Sequence, residues 1–121
     1  MIRSHEQAGG QVVAVCPEEL GGLGTPRPAA DLRGGDGRAV LAGSAQVRRV
    51  HDGDDVTEAF VRGARLALRE VGVVQRAILK ARSPSCGVGR TYIDGHLSDG
   101  DGVFAASLRR LDVRLQTEED L

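Results

Sequence analysis

Aromatic side chains are almost missing from this 121-residue chain, which has two phenylalanines, one tyrosine and no tryptophan. Phe60, Tyr92 and Phe104 cannot fill the interior of a domain, so the core must be built from Val, Leu, Ile and Ala. Charge of one sign is missing too. Sixteen Lys and Arg stand against 17 Asp and Glu, a net charge of −1, which recommends neither a nucleic-acid polymer nor a membrane surface as partner. No apolar run approaches the roughly 20 residues that span a bilayer. Residues 1–10 are polar and lack the apolar middle of a signal peptide. These absences point to a cytoplasmic protein. Cysteine is limited to Cys16 and Cys86, and in the cytoplasm such thiols are more often reduced, catalytic or metal-bound than joined in a structural disulfide.

Glycine, by contrast, is plentiful, with 17 residues clustered between apolar segments. Residues 1–11 read as a flexible lead-in and 12–121 as one domain. Strands are expected at 12–15, 38–41, 46–50, 74–81 and 113–116. Residues 90–93 and 96–98 suit a hairpin around Asp94-Gly95. The clearest element is a helix over 55–71. Val56, Ala59, Phe60, Gly63, Ala64, Ala67, Leu68 and Val71 form one face, with Asp54 or Asp55 as cap and Gly72 as stop. Gly63 weakens that helix unless another backbone packs closely on it. A shorter helix fits 103–111. Helices alternating with buried strands predict a mostly parallel α/β sheet. The glycine clusters do not follow the dinucleotide-binding fingerprint.

Chemistry concentrates at two strand ends, where α/β sheets collect their ligands. Ser83-Pro84-Ser85-Cys86-Gly87 follows one strand and Cys16-Pro17-Glu18-Glu19 follows another. Neighbouring parallel strands would bring both sulfurs to one edge, where they could hold a soft metal or a cluster, form a redox pair, or supply a nucleophile. Seventy positions and no CxxC separate them, so spacing alone favours two small buried hydrophobes. Glu18 could serve as an acid/base beside Cys16, against the commoner fate of a solvated turn carboxylate. Ser83 and Ser85 could bond a substrate or a cluster sulfide, or cap the turn. Arg27, stiffened between two prolines, suits an anion or carbonyl edge. Lys80 could touch a ligand or snorkel. His5, His51 and His96 share no ligand-like spacing, and Asp54-Asp55 reads as a helix cap rather than a metal site.

The motifs go further than the spacing. Cys16-Pro17-Glu18 with Gly21-Gly22-Leu23 and Thr25-Pro26-Arg27 resembles the "CPE…GGL.TPR" signature of the thiouracil desulfurase-like family, long catalogued as domain of unknown function 523. Asp55-Val56-Thr57 with Phe60 and Gly63-Ala64 is similar to its "DVT..F..GA" helix. Ile78-Leu79-Lys80-Ala81 with Ser83-Pro84-Ser85-Cys86-Gly87 is similar to "iLK..SPSCG". Gly100-Asp101-Gly102-Val103 with Ala105-Ala106, and Thr117-Glu118, resemble its closing motifs.

The resemblance implies a Rossmann-like α/β domain, with a mostly parallel sheet and flanking helices. It also implies a [4Fe-4S] cluster held by three cysteines, whose open iron takes sulfur from a thiolated pyrimidine such as 2-thiouracil. Cys16 and Cys86 would be two of the ligands. Glu18 and Ser83 are candidates for moving protons or orienting the substrate, and Arg27, Ser85 and Lys80 for binding it.

The family's first strand, "S.CL.G", supplies the third cysteine, and residues 1–11 carry none. Tyr92-Ile93-Asp94-Gly95 replaces the family's Tyr-Asp-Gly. Two expectations follow: a misassigned start that omits the first strand and helix, or a degenerate relative. A sheet without that strand would expose an edge, which a homodimer could cover, with His5 or a partner residue as substitute ligand. The alternatives to a desulfurase are a non-catalytic relic or small-ligand-binding module, and a metal-free thiol enzyme using Cys86.

Overall fold

Short strands and helices alternate along the chain in the computed structural model, which describes residues 2–3, 14–15, 21–22, 29–72 and 76–120. Among them are eight strands: β1 (Ile2–Arg3), β2 (Ala14–Val15), β3 (Ala30–Arg33), β4 (Gln46–Arg49), β5 (Arg76–Leu79), β6 (Arg90–Ile93), β7 (His96–Asp99) and β8 (Arg114–Thr117). Three helices accompany them: α1 (Gly37–Leu41), α2 (Thr57–Val71) and α3 (Val103–Arg109). A 3₁₀ turn, Glu118–Asp120, follows β8. The result is a small mixed α/β domain. No helix among the described residues is long and apolar enough to cross a membrane.

The periodicity expected for 55–71 appears as α2, which buries Phe60, Gly63, Ala64, Ala67 and Val71 on one face. Asp55 accepts hydrogen bonds from the Thr57 amide (2.9 Å) and hydroxyl (2.5 Å) at its start. Gly72, at φ +68°, closes the other end and donates to the Leu68 carbonyl. Glycine fits that left-handed position without a Cβ penalty. Unlike α2, α3 is buried on every side from Val103 to Leu108. It packs on α1, α2 and β8 and so forms the centre of the core. Among the described residues, Phe104, Leu32, Leu79, Leu108, Val47 and Val103 are the largest apolar side chains sealed from solvent. Burial of each such side chain contributes about 1.5–3 kcal/mol.

The strands form two four-stranded sheets, ordered β2-β1-β5-β8 and β4-β3-β6-β7. This corrects the expectation of a mostly parallel sheet. Among the described residues four ladders are antiparallel and two, β3 with β6 and β5 with β8, are parallel. For one antiparallel pair the reason lies in the connection, since a tight turn returns an antiparallel strand. Asp94 (φ +52°) and Gly95 (φ +83°) make such a turn between β6 and β7, both central residues taking the positive φ of the favoured hairpin turn.

A second correction concerns 38–41, expected as a strand and found as α1. The Asp36 carboxylate accepts from the Ala39 amide (3.0 Å) and caps the helix, so local capping overrides the apolar run. The strand that pairs with β4 is instead β3. Its Asp31 is buried at 4% exposure and bonded to Arg33 Nε at 2.9 Å.

Candidate functional site

β5 carries the apolar run Ala77-Ile78-Leu79, buried throughout. Beyond it Lys80 is exposed, and Arg82 takes a left-handed conformation (φ +62°) while pairing with Glu119 at 2.8 Å. The chain then tightens into the 83–87 turn. Ser83 Oγ accepts hydrogen bonds from the amides of Ser85 (3.1 Å) and Cys86 (2.8 Å), the geometry by which a serine imitates a backbone turn. The Ser83 carbonyl accepts from the Gly87 amide (2.9 Å) and from Thr91 Oγ1 (3.1 Å). Ser83 thus organises the turn with both its oxygens.

Cys86 exposes 1% of its surface and Ser85 2%. Cys86 belongs to the apolar core cluster. Ser85 Oγ is fully enclosed and has no hydrogen-bond partner among the described residues. Buried hydroxyls are nearly always satisfied, so this one marks a place where a ligand atom could bond.

A second segment grips the turn. The amides of Gly102 and Val103 donate to the carbonyls of Gly87 (2.8 Å) and Pro84 (2.8 Å). Those of Phe104 (2.7 Å) and Ala105 (3.1 Å) both donate to the Ser85 carbonyl. A Cβ on Gly102 would lie 2.6 Å from the Ser85 oxygen and 2.8 Å from the Cys86 nitrogen, so only glycine permits the approach. Beside it, Asp101 Oδ1 accepts from the Gly89 amide (2.8 Å) and from Arg109 Nη2 (3.0 Å), and Oδ2 from Arg109 Nε (2.6 Å). Partial burial pushes the Asp101 carboxyl up. The Arg109 fork and the Gly89 amide more than offset this and hold it below the usual carboxylate range. The bonds to Asp101, with its charge, in turn hold the Arg109 guanidinium above its ordinary value.

Of the sequence-derived candidates, Ser83, Ser85 and Cys86 come together in one turn, with Lys80 on the surface before it. Cys16, Glu18 and Arg27 lie outside the described residues. The strands that lead to the two cysteine segments end level with each other. Val15 of β2 and Leu79 of β5 both pair with Ile2 of β1, which runs opposite to both. Two strand spacings, about 10 Å, therefore separate the ends. Past the first cysteine segment, Gly21 lies against the α2 backbone at Ala59 and Gly63, and Arg62 donates to its carbonyl. This is the close backbone contact that Gly63 anticipates. Thr91, Asp101 and Gly102 escaped the sequence reading as parts of the site. The paired glycines around Asp101 were the available signal.

No group of three His, Cys, Asp or Glu able to hold a metal occurs among the described residues. Soft donors in the whole sequence are the two cysteines and Met1.

A model of the 2-thiouracil desulfurase family matches residues 2–120. The chain is 40% identical over 116 residues to the uncharacterized protein YbbK of Bacillus subtilis (strain 168), an alignment covering 92% of this chain and 76% of YbbK. Among solved structures it is similar to the [4Fe-4S]-dependent thiouracil desulfidase TudS, at 40% identity and a TM-score of 0.73, over 90% of this chain and 68% of that one.

Proposed function

The chain belongs to the 2-thiouracil desulfurase family, and on that premise we propose that it is a desulfurase-like protein acting on a thiolated pyrimidine at the 83–87 turn. The observation that carries this reading is the Ser85 hydroxyl, sealed from solvent beside Cys86 without a partner among the described residues. A hydroxyl kept unsatisfied costs about 1–3 kcal/mol. A ligand atom that accepts its proton recovers that cost.

The donor set fits two of the three thiol positions that a family cluster would use, Cys86 and Cys16. A third cysteine is not in these 121 residues. A homodimer, which brings a second pair of thiols, is one way to complete the set. When bound, a [4Fe-4S] cluster supplies a Lewis-acidic iron with an open position for the substrate's sulfur.

The protein's own residues prepare that place. Ser83 holds the turn and thereby fixes the Cys86 main chain. Ser85 Oγ donates to the ligand. Glu18 is assigned proton transfer, and Arg27 and Lys80 the polar edge of the pyrimidine. The same reading takes 12–121 as one domain of Rossmann-like kinship working in the cytoplasm.

Anaerobic reconstitution with iron and sulfide tests the proposal. A brown species that is lost in Cys16→Ser and Cys86→Ser, and that releases sulfur from 2-thiouracil, is expected. A colourless protein that binds 2-thiouracil unchanged would instead identify a ligand-binding module.

A further inference from the structure

We infer that Asp101 is a positioning residue for Cys86, acting through Gly89 and Gly102 to hold the 83–87 turn closed. The inference rests on the reading of Cys86 as a site thiol. The Asp101 side chain bonds to Gly89 and Arg109 rather than to Ser85 or Cys86 directly, and so ties together the segments that do the holding.

Four contacts converge on Asp101. Its carbonyl accepts from the amide of Gly37, the first residue of α1, at 2.7 Å. Its side chain takes the Gly89 amide on one oxygen and Arg109, near the end of α3, on both. The next residue, Gly102, is the one packed against Ser85 and Cys86. Gly89 lies two residues beyond the turn, and its carbonyl accepts from the Gly100 amide at 3.0 Å. The 84–89 and 100–105 segments are therefore laced together by backbone hydrogen bonds, and the Asp101 side chain adds a bond to the Gly89 amide. At 13% side-chain exposure the carboxylate is largely shielded, unlike an ordinary surface ion pair. Charge-assisted bonds in a fork geometry are among the stronger ones available to a protein. Loss of the Gly89 bond should let the 84–89 segment lift from α3 while the rest of the fold stays closed, a local opening rather than a global one.

The experiment uses the full chain carrying Cys16→Ser, so that Cys86 is the one thiol, and follows its alkylation by iodoacetamide across a range of urea below the unfolding transition. Asp101→Ala should react about tenfold faster or more, the factor that a lost hydrogen bond to a charged group implies. That added rate should be nearly independent of urea, because local opening exposes little surface. Asp101→Asn keeps an acceptor for Gly89 and should stay within about threefold of the parent. Should Asp101→Ala fail to fold, Asp101→Ser, too short to serve both Gly89 and Arg109, carries the same expectation. A rate no faster than the parent's, or one that climbs with urea as steeply as global unfolding, overturns the inference and leaves Asp101 a stabilising residue only. No iron is present in this test, so its failure is separable from failure of reconstitution.

Discussion

Gly102 lies so close to Ser85 that a methyl group on it would sit 2.5 Å from the Ser85 carbonyl carbon. No L side chain fits there without moving either the cysteine turn or the start of α3. The contact makes the position of Cys86 a property of the core, because α3 is itself buried on every side.

Gly102→Ala should therefore destabilise the domain by about 1–3 kcal/mol through overpacking. Urea denaturation reads the effect as a lower midpoint with an unchanged slope. Iron uptake in the reconstitution assay should fall with it, since Gly102 bears directly on the Ser85-Cys86 backbone. A variant as stable as the parent would show that the two segments separate at little cost.

Ser85→Ala should have the opposite signature. It removes a hydroxyl that no described residue satisfies, so stability should hold or rise by about 1 kcal/mol. Desulfurisation of 2-thiouracil, followed by loss of its thione absorbance, should fall. A loss of stability instead would mean that the hydroxyl is bonded within the protein.

Phe104→Ala tests whether α3 is the core's centre. Truncating a fully buried phenylalanine costs about 3–5 kcal/mol, a large share of the roughly 5–15 kcal/mol that holds a domain folded. Thermal unfolding by circular dichroism should show a broad or absent transition at ambient temperature. Leu111→Ala, at a side chain 62% exposed, should leave it within about 0.5 kcal/mol of the parent.

The acid limb of stability should depend on Asp101 and Asp55. Both carboxyls sit below their ordinary range, Asp101 for the reasons given above and Asp55 through the Thr57 hydroxyl and amide, with Arg48 adding to them. The unfolded chain then binds more protons in acid than the folded one, so stability rises with pH. The contribution is complete above the unperturbed aspartate value of about 3.9 and disappears as the pH falls through the lower folded values. Tm measured from about pH 2 to pH 6 should show a shallower acid limb in Asp101→Asn and Asp55→Asn. An identical limb in both variants would place the titrating groups elsewhere.

What the sequence disclosed follows from how each signal is carried. α2 was legible because fifteen residues repeat the helical period on one face. The β6–β7 hairpin was legible because Asp94-Gly95 suits its turn. α1 was misread as a strand, since five residues are too few to show a period and the deciding bond comes from Asp36. β3 was missed because its four residues carry only two apolar side chains, Ala30 and Leu32, too few to show an alternation. At the site, Ser83, Ser85 and Cys86 declared themselves as neighbours in the chain. Gly102 did not, for its contact with Ser85 runs through backbone atoms, which leave no side-chain signature.

The lacing of 84–89 to 100–105 also bears on the order in which the molecule assembles. Its hydrogen bonds join residues close in sequence, so the loop they close is short and forms early on entropic grounds. The pairing of Val15 and Leu79 across Ile2 needs roughly two thirds of the chain, from Ile2 to Leu79, to be looped back first. The Cys86 arm should thus acquire protection from hydrogen exchange before the strand that leads to Cys16 docks. A folding chain would then carry a finished 83–87 turn while the strand Ala14–Val15 is still being recruited to its sheet.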